Sequence, residues 1–330
     1  MREGFAFVAG LLLFGIVLQV ALGPVRWEAL AWPVNIFVLA AWLVLVGVFY
    51  ALRRRVRFFE WMMHNGAGVP ALVFALVLTL VMGLVTQGDP GRIPPAMADS
   101  LAAAGMPQAA SAGATMPWLG RMLRFWPFAL AWGWVVIISA LAALNHLLRW
   151  EWRQIPFVLN HLGVAVAITA AALGAPDKQD LRLMAFAGTP EWRAVDGNGQ
   201  LVELGFSVTL NDFIMETYPD GTPKRFASEV TVVPGSGGVP AGGEHVEGTI
   251  EVNRPLRFGG WRIYQHDYDK LSGKYSVLEL MRDPWLWAVY VGIFMMLAGA
   301  VCLMLFMAPK PVRDESDEGS GHGKDRRETV

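Results

Sequence analysis

The 330-residue chain has a single cysteine, Cys302, and it lies inside an apolar run. One cysteine excludes an internal disulfide framework and leaves no Cys-x-x-Cys pair for thiol exchange. A Cys-x-x-Cys-His run is missing too, so the chain is not itself a c-type cytochrome. Charge is scarce: Asp, Glu, Lys and Arg make up 17% of residues and balance to a formal net charge of −1. Nucleic-acid binding needs a basic surface that displaces counterions from phosphates, and this balance supplies none. No nucleophile elbow, Walker sequence, zinc spacing or dinucleotide-binding fingerprint occurs either, which leaves no standard hydrolase, nucleotide or zinc chemistry in view.

What the chain has is apolar length. Apolar side chains are 54% of the total and the mean hydropathy is +0.40, too high for an ordinary soluble enzyme. Six runs approach or reach the roughly 20 residues that cross a hydrocarbon layer: Phe5 to Leu22, Trp32 to Leu52, Val69 to Val85, Phe128 to Leu148, Phe157 to Leu173 and Leu286 to Met307. The first follows Arg2 like a secretory signal, but its length and Pro24 beyond Gly23 favour an uncleaved helix. Arginines follow the second run (Arg53, Arg54, Arg55, Arg57) and the fourth (Arg149, Arg153), and the tail adds Lys310, Arg313, Lys324, Arg326 and Arg327. By the positive-inside rule these segments and the N-terminus are cytoplasmic, and the other connections lie outside. Most of the tryptophans near run ends suit an aromatic belt in the headgroup zone.

The expected fold is therefore an α-helical polytopic membrane protein of six transmembrane helices with an extracytoplasmic all-β domain. Helices 1–3 fill residues 1–87, an outer loop 88–125, helices 4–5 residues 126–176, the β domain 177–283, helix 6 residues 284–308 and a disordered cytoplasmic tail 309–330. The loop from Gly88 to Met116 reads as mobile, with one short helix from Ser100 to Ala104 that Asp99 caps. Its methionines are soft-metal or haem-iron ligands in principle, though adaptable packing explains them. Trp32-Pro33 and Trp126-Pro127 each open a helix that leads to arginines, a His/Asn/Gly run and a further helix, which suggests a parallel duplication of a helical hairpin.

Between the fifth and sixth runs, two passages alternate apolar and polar residues as half-buried strands do: Leu204 to Val232 and Gly248 to Asp269. Phe206, Val208 and Leu210 share a face in the first, and Pro219-Asp220-Gly221 turns it into a hairpin. In the second, Ile250 and Val252 alternate with polar neighbours and Gly259-Gly260 marks a turn. Trp261, Tyr264 and Phe206 are the expected large core side chains.

Ionisable residues near membrane depth are costly, so they usually have a reason. His64 precedes the third run, His146 ends the fourth, and His161 lies one turn inside the fifth. Each imidazole offers one nitrogen to haem iron, with Arg149 and Arg153 near enough in sequence to pair with propionates. The alternative is an interfacial histidine solvated by headgroups. His245, His266 and His322 read as surface or incidental residues.

The runs LNDFIMETYPDGTPKRFASEVTV and VNRPLRFGGWRIYQHDYD resemble the two signature stretches of the ResB (CcsB) family of cytochrome c biogenesis proteins, and the likeness runs from about Trp126 to Met307. The sequence departs from the family pattern at Trp285, after Asp283-Pro284, and at His266. The resemblance implies a ResB-like subunit of a cytochrome c synthase that handles haem b across a bacterial inner membrane and aids its presentation to apocytochrome c. It implies a ResC/CcsA-like partner for the bond-forming step, because Trp132-Gly133-Trp134 lacks that partner's tryptophan-rich motif; a thiol-reducing protein is a further partner. It carries a haem-binding histidine onto His161, with no such carry-over for His146 or His64. Tyr218, Asp220, Asn253, Tyr264, Gln265 and Tyr268 lie in the signature stretches as fold-defining or partner-contacting residues. Two other classes stay open: a membrane-anchored outer binding or sensor protein without haem, and a b-type haem electron carrier using His146 and His161.

Overall fold

A computed structural model describes residues 1–85, 87, 119–149, 152–197, 199–220, 223–236, 239–240, 242, 245–269 and 274–306. The expected Ser100–Ala104 helix and the tail from Pro309 onward lie outside these. Seven α-helices occur among the described residues: α1 (Arg2–Leu22), α2 (Val34–Leu52), the short α3 (Arg57–Trp61), α4 (Asn65–Leu84), α5 (Trp126–Leu147), α6 (Ile155–Gly174) and α7 (Leu286–Phe306). All but α3 are long and apolar enough to cross a membrane. Pro127 and Pro156 occupy first-turn positions, where a missing N–H costs nothing. Helix α4 begins four residues before the expected Val69 because the Ala67 and Gly68 amides already bond back to the His64 carbonyl. Pro70 then leaves the Gly66 carbonyl without its helical donor. Gly4 of α1 packs against that carbonyl, and a Cβ at Gly4 would collide with it.

The six long helices alternate in direction. The Trp126 amide donates to Gln19 Oε1 at 3.1 Å, Trp132 Nε1 to Thr79 Oγ1 at 3.2 Å, and Asn35 Nδ2 to the Leu173 carbonyl at 3.1 Å. These contacts join the starts of α2 and α5 to the ends of α1, α4 and α6, at the end of the bundle that carries the sheet. Arg53, Arg54, Arg55, Arg57, Arg149 and Arg153 therefore gather at the opposite end.

Helix α5 is the best enclosed, with Ala131, Leu141 and Ala143 almost fully buried. A ring cluster of Phe7, Phe58, Trp61 and Trp134 ties α1 and α3 to it, with Phe7 and Trp134 centroids 4.5 Å apart. Helices α6 and α7 approach most closely: a Cβ on Gly292 would sit 2.6 Å from the Gly163 carbonyl and 2.6 Å from the Ala167 amide. Small residues let backbones meet where lipid supplies no hydrophobic drive between helices. The suggested duplication is not visible in the packing. Helices α5 and α6 lie along each other, whereas α2 packs on α5 and α6 rather than along α4.

Among the described residues nine strands form one antiparallel sheet: β1 (Gln179–Phe186), β2 (Pro190–Asp196), β3 (Leu201–Thr217), β4 (Pro223–Ser236), β5 (Val239–Pro240), β6 (Val246–Glu251), β7 (Leu256–Phe258), β8 (Trp261–Tyr268) and β9 (Tyr275–Arg282). Their order is β5-β4-β3-β2-β1-β9-β8-β7, with β6 also on β4. Ser228 of β4 nevertheless donates to Gln265 of β8 and accepts from Ser276 of β9, strands distant from it in that order. The sheet therefore folds over, and its inner faces meet in one core of Leu183, Val208, Leu210, Val230, Ile250, Ile263, Leu278 and Leu280.

The expected hairpin across Pro219-Asp220 pairs β3 with β4, and Gly259 and Gly260 turn β7 into β8 with φ of 54° and 85°. Phe206 and Trp261 enter the core as expected. Tyr264 does not. Successive strand residues point to opposite faces, so Trp261, Ile263 and Gln265 share the inner face while Tyr264 stands half-buried on the other.

Candidate functional site

The last turn of α5 and the first turns of α6 bring His146 and His161 to the same phenyl ring. Phe157 lies 4.4 Å from His146 and 3.8 Å from His161, ring centre to ring centre. Each imidazole is oriented through Nδ1. That of His161 lies 2.9 Å from the Phe157 carbonyl, one turn back along α6, and that of His146 lies 2.6 Å from Gln154 Oε1. With oxygen acceptors at both Nδ1 atoms, the proton sits there and each Nε2 keeps its lone pair. A carbonyl on the far nitrogen is the usual way a ligating histidine is held in tautomer and angle.

This arrangement fits one axial ligand to haem iron. Leu147 and Leu148 form an exposed apolar ledge beside the pair, and Val158 and Leu162 are half-buried on α6. Arg149 and Arg153 are exposed on the connection. His64 stands apart as an exposed residue at the start of α4, its Nδ1 2.8 Å from the Glu60 carbonyl. Among the described residues, no three His, Cys, Asp or Glu side chains form a metal cluster.

The signature residues of the β domain separate by role. Gln265 completes a buried polar set: its carbonyl oxygen accepts from Ser228 Oγ at 2.6 Å, and its Nε2 donates to Ser276 Oγ at 2.8 Å. Tyr268 stacks on Phe213 at 4.8 Å and lies 5.2 Å from Phe226. Asn253 turns the chain between β6 and β7 with φ 64°, a conformation asparagine tolerates. Tyr218 and Asp220 are exposed in the β3–β4 turn. Glu191 holds the irregularity between Glu191 and Arg193 on β2, accepting from Arg193 Nε at 2.8 Å and Nη2 at 3.0 Å. The Arg193 guanidinium keeps its carboxyl below the ordinary range, against the opposing effect of burial.

A second constellation escaped the sequence reading. Asp177, at the root of the β domain, accepts from the Trp32 amide at 2.8 Å, Asn35 Nδ2 at 2.7 Å and Trp285 Nε1 at 2.9 Å. One carboxylate thus joins the starts of α2 and α7 to the end of α6. The signals were a fully buried asparagine in an apolar run, an acid at a run end and the unusual Trp285, which packs directly on Gly174.

Residues 150–275 match the ResB-like family, so the likeness carried by the two strand passages is shown over this segment. The match includes His161, Arg153 and all six signature residues; His146, Arg149 and helices α1 to α5 lie before it. Among relatives, Protein NrfI of Wolinella succinogenes is 31% identical over 107 residues, 32% of this chain and 11% of that protein. Cytochrome c biogenesis protein CcsB of Synechococcus sp. strain WH7803 is 30% identical over 128 residues, 37% of this chain and 27% of that one. These matches span no more than 27% of the relatives' own lengths. The chain also overlays on the solved structure of Cytochrome c Heme Lyase CcmF with a TM-score of 0.34 and 19% identity, covering 82% of this chain and 44% of that one.

Proposed function

We propose that the chain is a multi-pass membrane component of cytochrome c biogenesis that handles haem b and aids its presentation to apocytochrome c. The observation that carries this reading is the ResB-like segment at residues 150–275, which holds His161 with its Nδ1 tied to a backbone carbonyl and the Nε2 lone pair left for a metal. The positive-inside rule puts the arginine end of the bundle in the cytoplasm and the sheet outside. His161 is the axial ligand in this account. His146 and Gln154 position it through Phe157, and Arg149 and Arg153 meet the propionates as guanidinium groups meet carboxylates elsewhere. Haem is cargo here; the chain binds and orients it, and thioether formation falls to a ResC/CcsA-like partner, with a thiol-reducing protein keeping the apocytochrome ready.

The test is removal of the gene from its host and haem staining of membrane proteins. Loss of the covalently haem-stained bands, restored by the gene in trans, is expected. Unchanged bands would refute the reading, and a reversible redox couple on the purified chain with unchanged bands would favour a b-type electron carrier.

A further inference from the structure

A cleft of about 940 Å³ opens between α2, α6 and α7. Its mouth, at the root of the β domain, carries Trp32, Trp285, Trp287 and Arg282; its floor reaches Leu43 and Leu162. We infer that this cleft is a binding site for one glycerophospholipid, with the phosphate at Arg282 and an acyl chain along the apolar floor. The inference rests on the six long helices spanning a membrane and is independent of the haem reading.

Depth supports this occupant. From Gly174 to Leu162, α6 descends 12 residues, about 18 Å at 1.5 Å each. One leaflet's hydrocarbon is about 15 Å, half of a 30 Å core. Polarity follows the same gradient. Arg282 is exposed at the mouth, 5.9 Å from the Trp261 ring centre, and acts electrostatically on Asp177 without a direct salt bridge among the described residues. The neighbouring Asp177 carboxylate accepts from Trp32, Asn35 and Trp285, which leaves the guanidinium donors of Arg282, the one cation lining the cleft among the described residues, facing its mouth. Five residues below Gly174, about 7.5 Å, Thr169 is the last polar residue lining the cleft, its hydroxyl enclosed by protein. Deeper positions are apolar. Among the described residues no histidine, cysteine or methionine lines the cleft, so these offer haem iron no axial ligand.

The experiment uses the full chain extracted from membranes in mild detergent, so that a chain that never enters the membrane fraction fails the spanning reading and not this inference. Palmitoyl-oleoyl phosphatidylglycerol, dioleoylglycerol and haemin are offered separately and adducts are counted by native mass spectrometry. One phosphatidylglycerol adduct is expected, with dioleoylglycerol roughly tenfold weaker for want of the charge-assisted contact. Arg282→Gln should weaken the phospholipid by a similar factor, and Val166→Trp, which fills the cleft, should remove it. If Val166→Trp fails to fold, the exposed Arg282→Gln decides alone. Equal phospholipid retention by wild type and Arg282→Gln, equal binding of dioleoylglycerol, or displacement of phospholipid by haemin would each overturn the inference, as would retention of a partner helix in the cleft in place of lipid.

Discussion

Asp177→Ala removes the acceptor shared by Trp32, Asn35 and Trp285, and its cost follows from where each donor lies. A hydrogen bond to a charged group is worth about 1.5–3 kcal/mol when its donor cannot reach water. Asn35 is fully buried and keeps only its bond to the Leu173 carbonyl after the change, so its share is felt in full. The Trp32 amide is exposed and Trp285 is half-buried, so water or headgroups replace part of what they lose. The expected loss is about 2–4 kcal/mol, and Asp177→Asn, which keeps one acceptor oxygen, should lose about half as much. Denaturant unfolding of the detergent-solubilised chain, followed by tryptophan emission, measures both. Combined with Asn35→Ala, Asp177→Ala should be less than additive by about 1–2 kcal/mol, because the two side chains share one bond. Strict additivity, or wild-type stability for Asp177→Ala, would refute the junction.

Gly292→Val should force α6 and α7 apart, at a cost of about 1–3 kcal/mol or more, because its Cβ would sit 2.6 Å from the Gly163 carbonyl; cysteine crosslinking between the two helices would then fall. Trp261→Ala opens the core of the folded sheet and should cost about 3–5 kcal/mol, seen as reduced steady-state protein. Tyr264→Ala, on the opposite face, should accumulate near normally. Because Arg193 lowers the Glu191 carboxyl, that pair stabilises the fold fully above the ordinary carboxylate pKa and loses its effect as pH falls through the folded value. Glu191→Gln should therefore flatten the acid side of the domain's pH–stability curve, and an unchanged acid limb would contradict that role.

The six long helices were legible because continuous apolar runs of membrane length have few other outcomes; the largest differences are at the starts of α1, three residues early, and of α4, four residues early where amides bond back to the His64 carbonyl. Strand alternation located the core positions Phe206, Val208 and Leu210. Tyr264 was misassigned by counting aromatic size ahead of the period of two that sets its face. The Asp177 junction was not legible at all: its partners lie 145, 142 and 108 residues away, and nothing local marks them as meeting. His146 and His161 were visible as costly residues near helix ends. Their shared contact with Phe157, and the acceptors that fix both tautomers, arise only when α5 and α6 fold back on each other.

The central claim is that His161 binds haem, and the most direct measurement is the Soret absorbance of the chain purified from cells supplied with haem, compared between wild type and His161→Ala. Loss of most of the band in the variant, with recovery when imidazole fills the vacated axial position, is the expected result, and His146→Ala should shift the band more than diminish it. A full, unshifted Soret band in His161→Ala, together with normal cytochrome c maturation, would contradict the account.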